Sequence, residues 1–257
     1  MKKSVIALAV TSALASPAFA NSFVNGDFEA GTTGWTVSNM ASRTGTLNAG
    51  LTPSYIDSHI TTTMHSAIVT AGTIDPRVGA AFGSTVYQGN QSMRVEDTSS
   101  GGYASYISQS VKNYSDPSIF FAWKGVMLGA HDATDAATLK IFLRDDTTGT
   151  VLISREYNAA AGGSGVDARW SLLNNNYYTA AWQIEQLTIT PSLAGHDFTL
   201  SVLASDCQPT AHWGYVYLDG FGAVTPPTNV PEPGSLSLLG LGMVGLLAAA
   251  RRRRKTA

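Results

Sequence analysis

Cys207 and His212 stand five residues apart in "SDCQPTAHWGYVYLDG", a spacing at which a thiol and an imidazole can hydrogen-bond or share a metal ion. Cys207 is the sole cysteine, so no intramolecular disulfide forms; burial as a small apolar residue near the last strand is the competing reading. Carboxylates offer other chemistry. A glycosidase needs two of them at a set separation, and Glu96, Asp97, Glu156 and Glu185 are available, but no spacing pairs them. A Gly-x-Ser-x-Gly nucleophile turn is absent, and "GGSG" at 162–165 reads as a loop. His59 and His65 lack a His-Glu-x-x-His pattern. The stretch from His131 to Asp135, "HDATD", is either a cation-binding loop or a polar turn. No catalytic motif emerges, and the expectation is a protein without enzymatic activity.

The elements that must position these residues are strands. Apolar and polar residues alternate at 103–111, 118–128, 138–145, 150–157, 183–190, 197–204 and 213–218, in runs rich in Val, Ile, Phe, Tyr and Thr and separated by turn residues. The clearest hairpin has Asp145, Asp146 and Gly149 in its turn, with Leu139, Ile141 and Leu143 sharing a buried face. In the last run, alternation sends Trp213, Tyr215 and Tyr217 to one face and Val216 and Leu218 to the other. Many short strands with little helix predict an all-β fold, a two-sheet sandwich or jelly roll. Residues 40–89, Thr- and Gly-rich, read as a long irregular insertion with one or two strands, and 159–166 as a flexible loop.

The two ends do not belong to that fold. Residues 1–20 have a basic start, an apolar stretch and Ala18-Phe19-Ala20 as a small-x-small cleavage site, the layout of a signal peptide. Export machinery and signal peptidase are the implied partners. Residues 235–250 carry no charge, about 24 Å as a helix against roughly 30 Å of hydrocarbon, and Arg251, Arg252, Arg253 and Arg254 follow. Arginines beside an apolar helix mark its cytoplasmic side. Seven of the sixteen basic residues lie in these ends, which leaves nine against seventeen acids over 21–230, a net charge near −8. That acidic body excludes nucleic acid as a partner.

Pro231-Glu232-Pro233, then the apolar helix, then the arginine run, resembles the PEP-CTERM sorting tail of exported proteins of Gram-negative bacteria. The resemblance implies an inner-membrane intermediate in which an exosortase reads Pro231, Glu232 and Pro233, removes the helix, and delivers the protein to the surface or matrix, often with exopolysaccharide. A permanent tail anchor is the alternative.

A second resemblance lies in the body. "FVNGDFEAGTTGW", residues 23–35, and "GYVYLDGFGAV", residues 214–224, look like the opening and closing strands of galactose-binding-like and carbohydrate-binding-module jelly rolls. Gln109-Ser110-Val111 and the 120–123 run sit in between as such modules have them. What this implies is a structural Ca²⁺ joining first and last strands, with Glu29 and Asp219 as ligands and Asp27 as a third. If the module binds sugar, Trp170, Tyr177, Tyr178 and Trp182, clustered around "NNNYY", are the expected platforms, because aromatic faces stack on pyranoses.

The expected layout is therefore a signal peptide (1–20), a jelly-roll-like β-sandwich (21–225) with an insertion at about 40–89, a Pro-rich linker (226–234), a transmembrane helix (235–250) and a basic cytoplasmic tail (251–257). The expected role is non-catalytic carbohydrate or exopolysaccharide binding outside the cell. A secreted polysaccharide-active enzyme and a purely structural biofilm or adhesion protein are the alternatives.

Overall fold

A computed structural model describes residues 22–208 and 211–222. The chain divides into two units, 1–224 and 225–257, and the described residues all belong to the first. The expected signal peptide, Pro-Glu-Pro motif, transmembrane helix and arginine tail lie outside the described residues. Among the described residues no helix is long and apolar enough to cross a membrane.

Thirteen strands are described: β1 (Thr36–Val37), β2 (Ala41–Ser42), β3 (Ala67–Thr70), β4 (Gln91–Val95), β5 (Tyr103–Val111), β6 (Ser118–Leu128), β7 (Thr138–Asp145), β8 (Thr150–Asn158), β9 (Trp170–Leu173), β10 (Asn176–Thr179), β11 (Gln183–Thr188), β12 (Phe198–Ser205) and β13 (Gly214–Asp219). They form two antiparallel sheets. The first has the order β1-β5-β12-β7-β8, with β2 also on β5; the second has β3-β4-β13-β6-β10-β9, with β11 also on β6. The chain passes between the sheets from β4 (second) to β5 (first), β6 (second) and β7 (first), and again from β11 (second) to β12 (first) and β13 (second). The architecture is a jelly-roll-like β-sandwich. All seven expected strands are present within two residues of their expected ends.

Period-two alternation builds the core. Ile119, Phe121, Trp123 and Met127 of β6 face Leu139, Ile141 and Leu143 of β7 and Leu200, Val202 and Ala204 of β12, all fully buried. Val216 and Leu218 join this core from β13, while Tyr215 and Tyr217 point the other way, as expected. The turn after β7 is held as anticipated: Asp145 Oδ1 accepts from the amides of Thr147 and Thr148, and Gly149 takes a φ of 75°.

The insertion is better ordered than its composition implies. Besides β2 and β3 it holds a seven-residue helix, α1 (Pro53–His59), which the strand-only reading lacks. Its start is chemical: Thr52 Oγ1 accepts from the Tyr55 amide and Pro53 occupies the first turn, where no amide donor is needed. Ile56 and Leu51 pack on Ala41, Ala104, Tyr106 and Leu203, against the outer face of the first sheet. The 71–88 segment does the same for the second sheet, where Val78 and Phe82 cover Val126, Tyr215 and Tyr217.

Candidate functional site

Alternation along β5, β12 and β7 leaves one set of side chains pointing away from the core. The registers Ser108↔Ser201 and Ser201↔Phe142 put two hydroxyls and a ring in one rung across three strands. The adjacent rung is Ser110, Thr199, Arg144 and Val151. With Pro53 and Ser54 of α1 as a wall, these residues other than Ser110 line an open cavity of about 350 Å³. Its polar groups are already oriented. Thr199 Oγ1 donates to Asp146 Oδ2 at 2.5 Å, and Arg144 lies 3.7 Å from Asp146 Oδ1. Tyr106, next along β5, donates to Asp57 of α1 at 2.8 Å and ties the wall to the sheet.

A second cavity of about 290 Å³ lies further along the same face, where Thr138 and Lys140 of β7 meet Glu156 and Asn158 of β8. Lys140 Nζ is 3.7 Å from Glu156. The outer face of the first sheet thus presents hydroxyls, paired charges and one half-buried aromatic ring, Phe142.

The four aromatic residues singled out in the sequence do not form one patch. Tyr177 and Tyr178 are neighbours on β10, so they face opposite sides of the sheet. Trp170 is 9% exposed and packs at 6.0 Å from Trp123 and 5.2 Å from Tyr157, inside the core; this corrects its reading as a platform. Its indole N–H is buried without an acceptor. Tyr177 packs partly against the same core. Tyr178 and Trp182 lie on the other face, against Phe82 and Tyr87, and Trp182 donates to the Ser84 carbonyl at 3.2 Å. The insertion occupies the surface these two rings would need.

Asp219 and Glu29 meet the segment between 87 and 91, and Asp27 lies beside them. Asp219 Oδ2 accepts from the amides of Tyr87 and Gln88, and Oδ1 from Gly220. Glu29 Oε1 accepts from Asn90 and Gln91, and Asp27 Oδ1 from the Glu29 amide at 3.4 Å. Burial pushes the Asp219 carboxyl up to about 7 against the pull of its three amides, and the charge of Asp27 adds to the rise. The three carboxylates are not among the sets whose ligand atoms all lie within 4.8 Å, so one cation shared by all three requires a side-chain shift.

Of the carboxylates considered for acid–base work, Glu96 and Asp97 meet at His65, with ligand atoms of the three residues within 4.8 Å of one another, while Glu156 and Glu185 lie apart from them. Glu96 is buried and bonds to His65 Nδ1 and the Ser105 hydroxyl. Glu185 bonds to Arg155, Arg169 and Trp123. Glu156 stands alone on β8 beside Lys140. His59, outside any such group, stacks on Tyr55.

Cys207 and His212 do meet: Sγ lies 2.9 Å from His212 Nδ1, with the thiol buried. Burial pushes the Cys207 thiol up to about 11 and lowers the His212 imidazole. The 131–135 stretch is a polar turn, with Asp132 Oδ1 accepting from the amides of Thr134 and Asp135. That turn carries His131 to within 5.0 Å, ring to ring, of His212. No local spacing signalled this, since the two loops are remote in sequence. The trough residues had one legible mark: Phe142 is an aromatic ring set between Lys140 and Arg144 on the face opposite Leu139, Ile141 and Leu143.

Residues 229–254 match the family model of the PEP-CTERM protein-sorting motif. No curated protein matches the chain. Among solved structures, a family 61 carbohydrate-binding module described in complex with beta-1,4-galactotriose aligns at 13% identity and a TM-score of 0.41, over 79% of this chain and 96% of its own. A non-crystalline-cellulose-specific module of family 28 aligns at 12% and 0.37, over 78% and 92%. The K2 cleaved adhesin domain of Lys-gingipain aligns at 12% and 0.34, over 78% and 94%. The β-sandwich assignment rests on the two sheets themselves. By fold the chain is an all-β sandwich protein. By its tail it is an exported protein that carries a PEP-CTERM sorting signal.

Proposed function

We propose that the protein is a non-catalytic glycan-binding sandwich, processed at its tail by an exosortase and held at the cell surface or matrix, where exopolysaccharide is its ligand. The observation that carries this reading is the rung Ser108, Ser201 and Phe142, with Arg144, Asp146 and Thr199 beside it, on an open cavity of about 350 Å³. A pyranose offers an apolar ring face and a rim of hydroxyls. Phe142 supplies a stacking surface, and the flanking hydroxyls, guanidinium and carboxylate supply bonds to the rim. The floor lies on regular strands, which hold such groups more firmly than loops do.

The same reading assigns Glu29, Asp219 and Asp27 to a structural Ca²⁺ between the turns that precede β1 and the end of β13. Calcium takes oxygen ligands, and a divalent cation relieves the repulsion that Asp27 exerts on buried Asp219.

Isothermal titration of the exported protein against purified exopolysaccharide tests the glycan site. Phe142→Ala is expected to weaken binding about tenfold, the loss of one stacked ring, with Ser201→Val as a second trough variant. Binding that neither variant alters would overturn the site, and release of reducing sugar during the titration would overturn the non-catalytic role. Intact mass of the surface-extracted protein tests processing, which a retained arginine tail would exclude.

A further inference from the structure

Away from the trough, three side chains from two loops converge at one end of the sandwich. We propose that His131, Cys207 and His212 form a zinc site with one thiolate and two imidazole ligands, its fourth position filled by water or an exogenous ligand. One ligand atom from each lies within 4.8 Å of the other two. Cys207 and His212 flank the loop between β12 and β13, and His131 belongs to the turn between β6 and β7.

The donor set selects the ion. Thiolate and imidazole together suit zinc, whereas calcium and magnesium require oxygen. Zinc binds thiolate at about 2.3 Å and imidazole at about 2.0–2.1 Å, which in a tetrahedron puts sulfur and nitrogen about 3.5 Å apart. The Sγ–Nδ1 distance is 2.9 Å, so a side-chain movement of about half an ångström admits the ion. Zinc displaces the thiol proton to solvent, and no electron is transferred.

The surroundings fit a metal centre. Asp135 Oδ2 lies 3.6 Å from His131 Nδ1, so a small shift would bring the carboxylate into hydrogen-bond reach of that ring. Asp135 is itself fixed by the Gln208 amide at 3.0 Å and by Arg43 at 3.4 Å. Gly129 packs against the Cδ2–Nε2 edge of His212, where a Cβ would come within 2.3 Å of the ring. The absence of that side chain lets the imidazole lie with Nδ1 toward the sulfur. A cavity of about 240 Å³ adjoins, lined by Gly129, Ala130, Tyr177 and His212, and provides room for a fourth ligand. His131 is 41% exposed, so the site is reachable from solvent.

Cobalt(II) is the probe, because a thiolate bound to it gives an intense charge-transfer absorption. Titration of the full exported chain with Co²⁺ is expected to produce that band at one equivalent, bleached by one equivalent of Zn²⁺. Cys207→Ser should abolish the band. His131→Gln, a change at an exposed side chain, should weaken Co²⁺ binding about a hundredfold, at the upper end of what loss of a mere orienting partner costs. Thermal melts of both variants without metal check folding, and His131→Gln keeps the test decisive should the buried serine not be tolerated. Cobalt spectra without a thiolate band, or a band with unchanged midpoint in His131→Gln, would overturn the site.

Discussion

Glu185 on β11 and Arg155 on β8 belong to different sheets, yet the Arg155 guanidinium meets the Glu185 carboxylate through both Nε, at 2.8 Å, and Nη2. Arg169 adds a third bond at 3.1 Å and the Trp123 indole a fourth at 3.3 Å. One carboxylate therefore bolts the open side of the sandwich, above a core that includes Trp123, Tyr157 and Trp170. This also explains why Glu185 is unsuited to acid–base catalysis: its oxygens are committed to structural donors. Glu185→Gln keeps the shape and removes the charge. The expected loss is about 2 kcal/mol, less than the 3–5 of a fully buried pair, because Arg155 and Arg169 remain 30% and 35% exposed and solvent screens them. Urea denaturation with an unchanged slope measures it; a loss below the error of the fit would remove the bolt from the account.

Gly26 closes the sandwich at its termini. Its carbonyl accepts from the Phe221 amide at 3.0 Å, and a Cβ there would lie 1.5 Å from the Phe221 carbonyl oxygen. Both contacts are backbone to backbone, so no rotamer change relieves an added methyl. Gly26→Ala is expected to cost about 3 kcal/mol or more and to loosen Phe23, whose ring lies 4.0 Å from that of Phe221. A melting temperature equal to that of the native chain would contradict this close approach.

How much of this could be read beforehand depended on whether the information was local. Strand runs were legible because alternation is written into neighbouring residues, as in Leu139, Ile141 and Leu143, and the split of Tyr215 and Tyr217 from Val216 and Leu218 followed from the same rule. The helix α1 was not, since seven residues are too short to show a 3.6-residue period; only the Thr52-Pro53 cap announced it. The aromatic cluster misled for a different reason. Composition marks Trp170 and Trp182 alike, while the second sheet buries one in the core and sets the other under the 71–88 segment. The trough and the His131 cluster depend on pairings between distant strands and loops, such as Ser201 with Phe142. Alternation supplies each residue's face but not its neighbour across the sheet.

Calcium held by Glu29, Asp219 and Asp27 predicts a chelator-sensitive protein. The amides of 87, 88, 90 and 91 already gather on two of these carboxylates, so an ion there fixes the 87–91 segment to both ends of the sandwich. A ligand bound only by the folded state stabilises it by mass action. Excess EDTA should lower the melting temperature by about 5 °C or more, and added Ca²⁺ should restore it. Asp219→Asn should show no such response. A melt indifferent to chelator and calcium would exclude the ion and leave the carboxylates as amide clamps.

His65 predicts a decline in stability as the solution turns alkaline. Its hydrogen bond to buried Glu96 raises its pKa above 6.5; burial opposes the rise, while the charges of Glu96 and Asp97 assist it and that of Arg94 reduces it. Between 6.5 and the raised value the folded chain holds a proton that the unfolded chain has released. Stability is then fully present below about 6.5 and is lost as pH climbs through the folded value. Asp206, which burial pushes up to about 9, contributes with the same sign. The diagnostic quantity is therefore the difference between the native chain and His65→Gln. Melting temperatures taken from about pH 5.5 to about pH 8.5, a range that spans the ordinary histidine value, should fall more steeply for the native chain. Parallel curves would show that His65 does not titrate with folding and that its contact with Glu96 carries no charge.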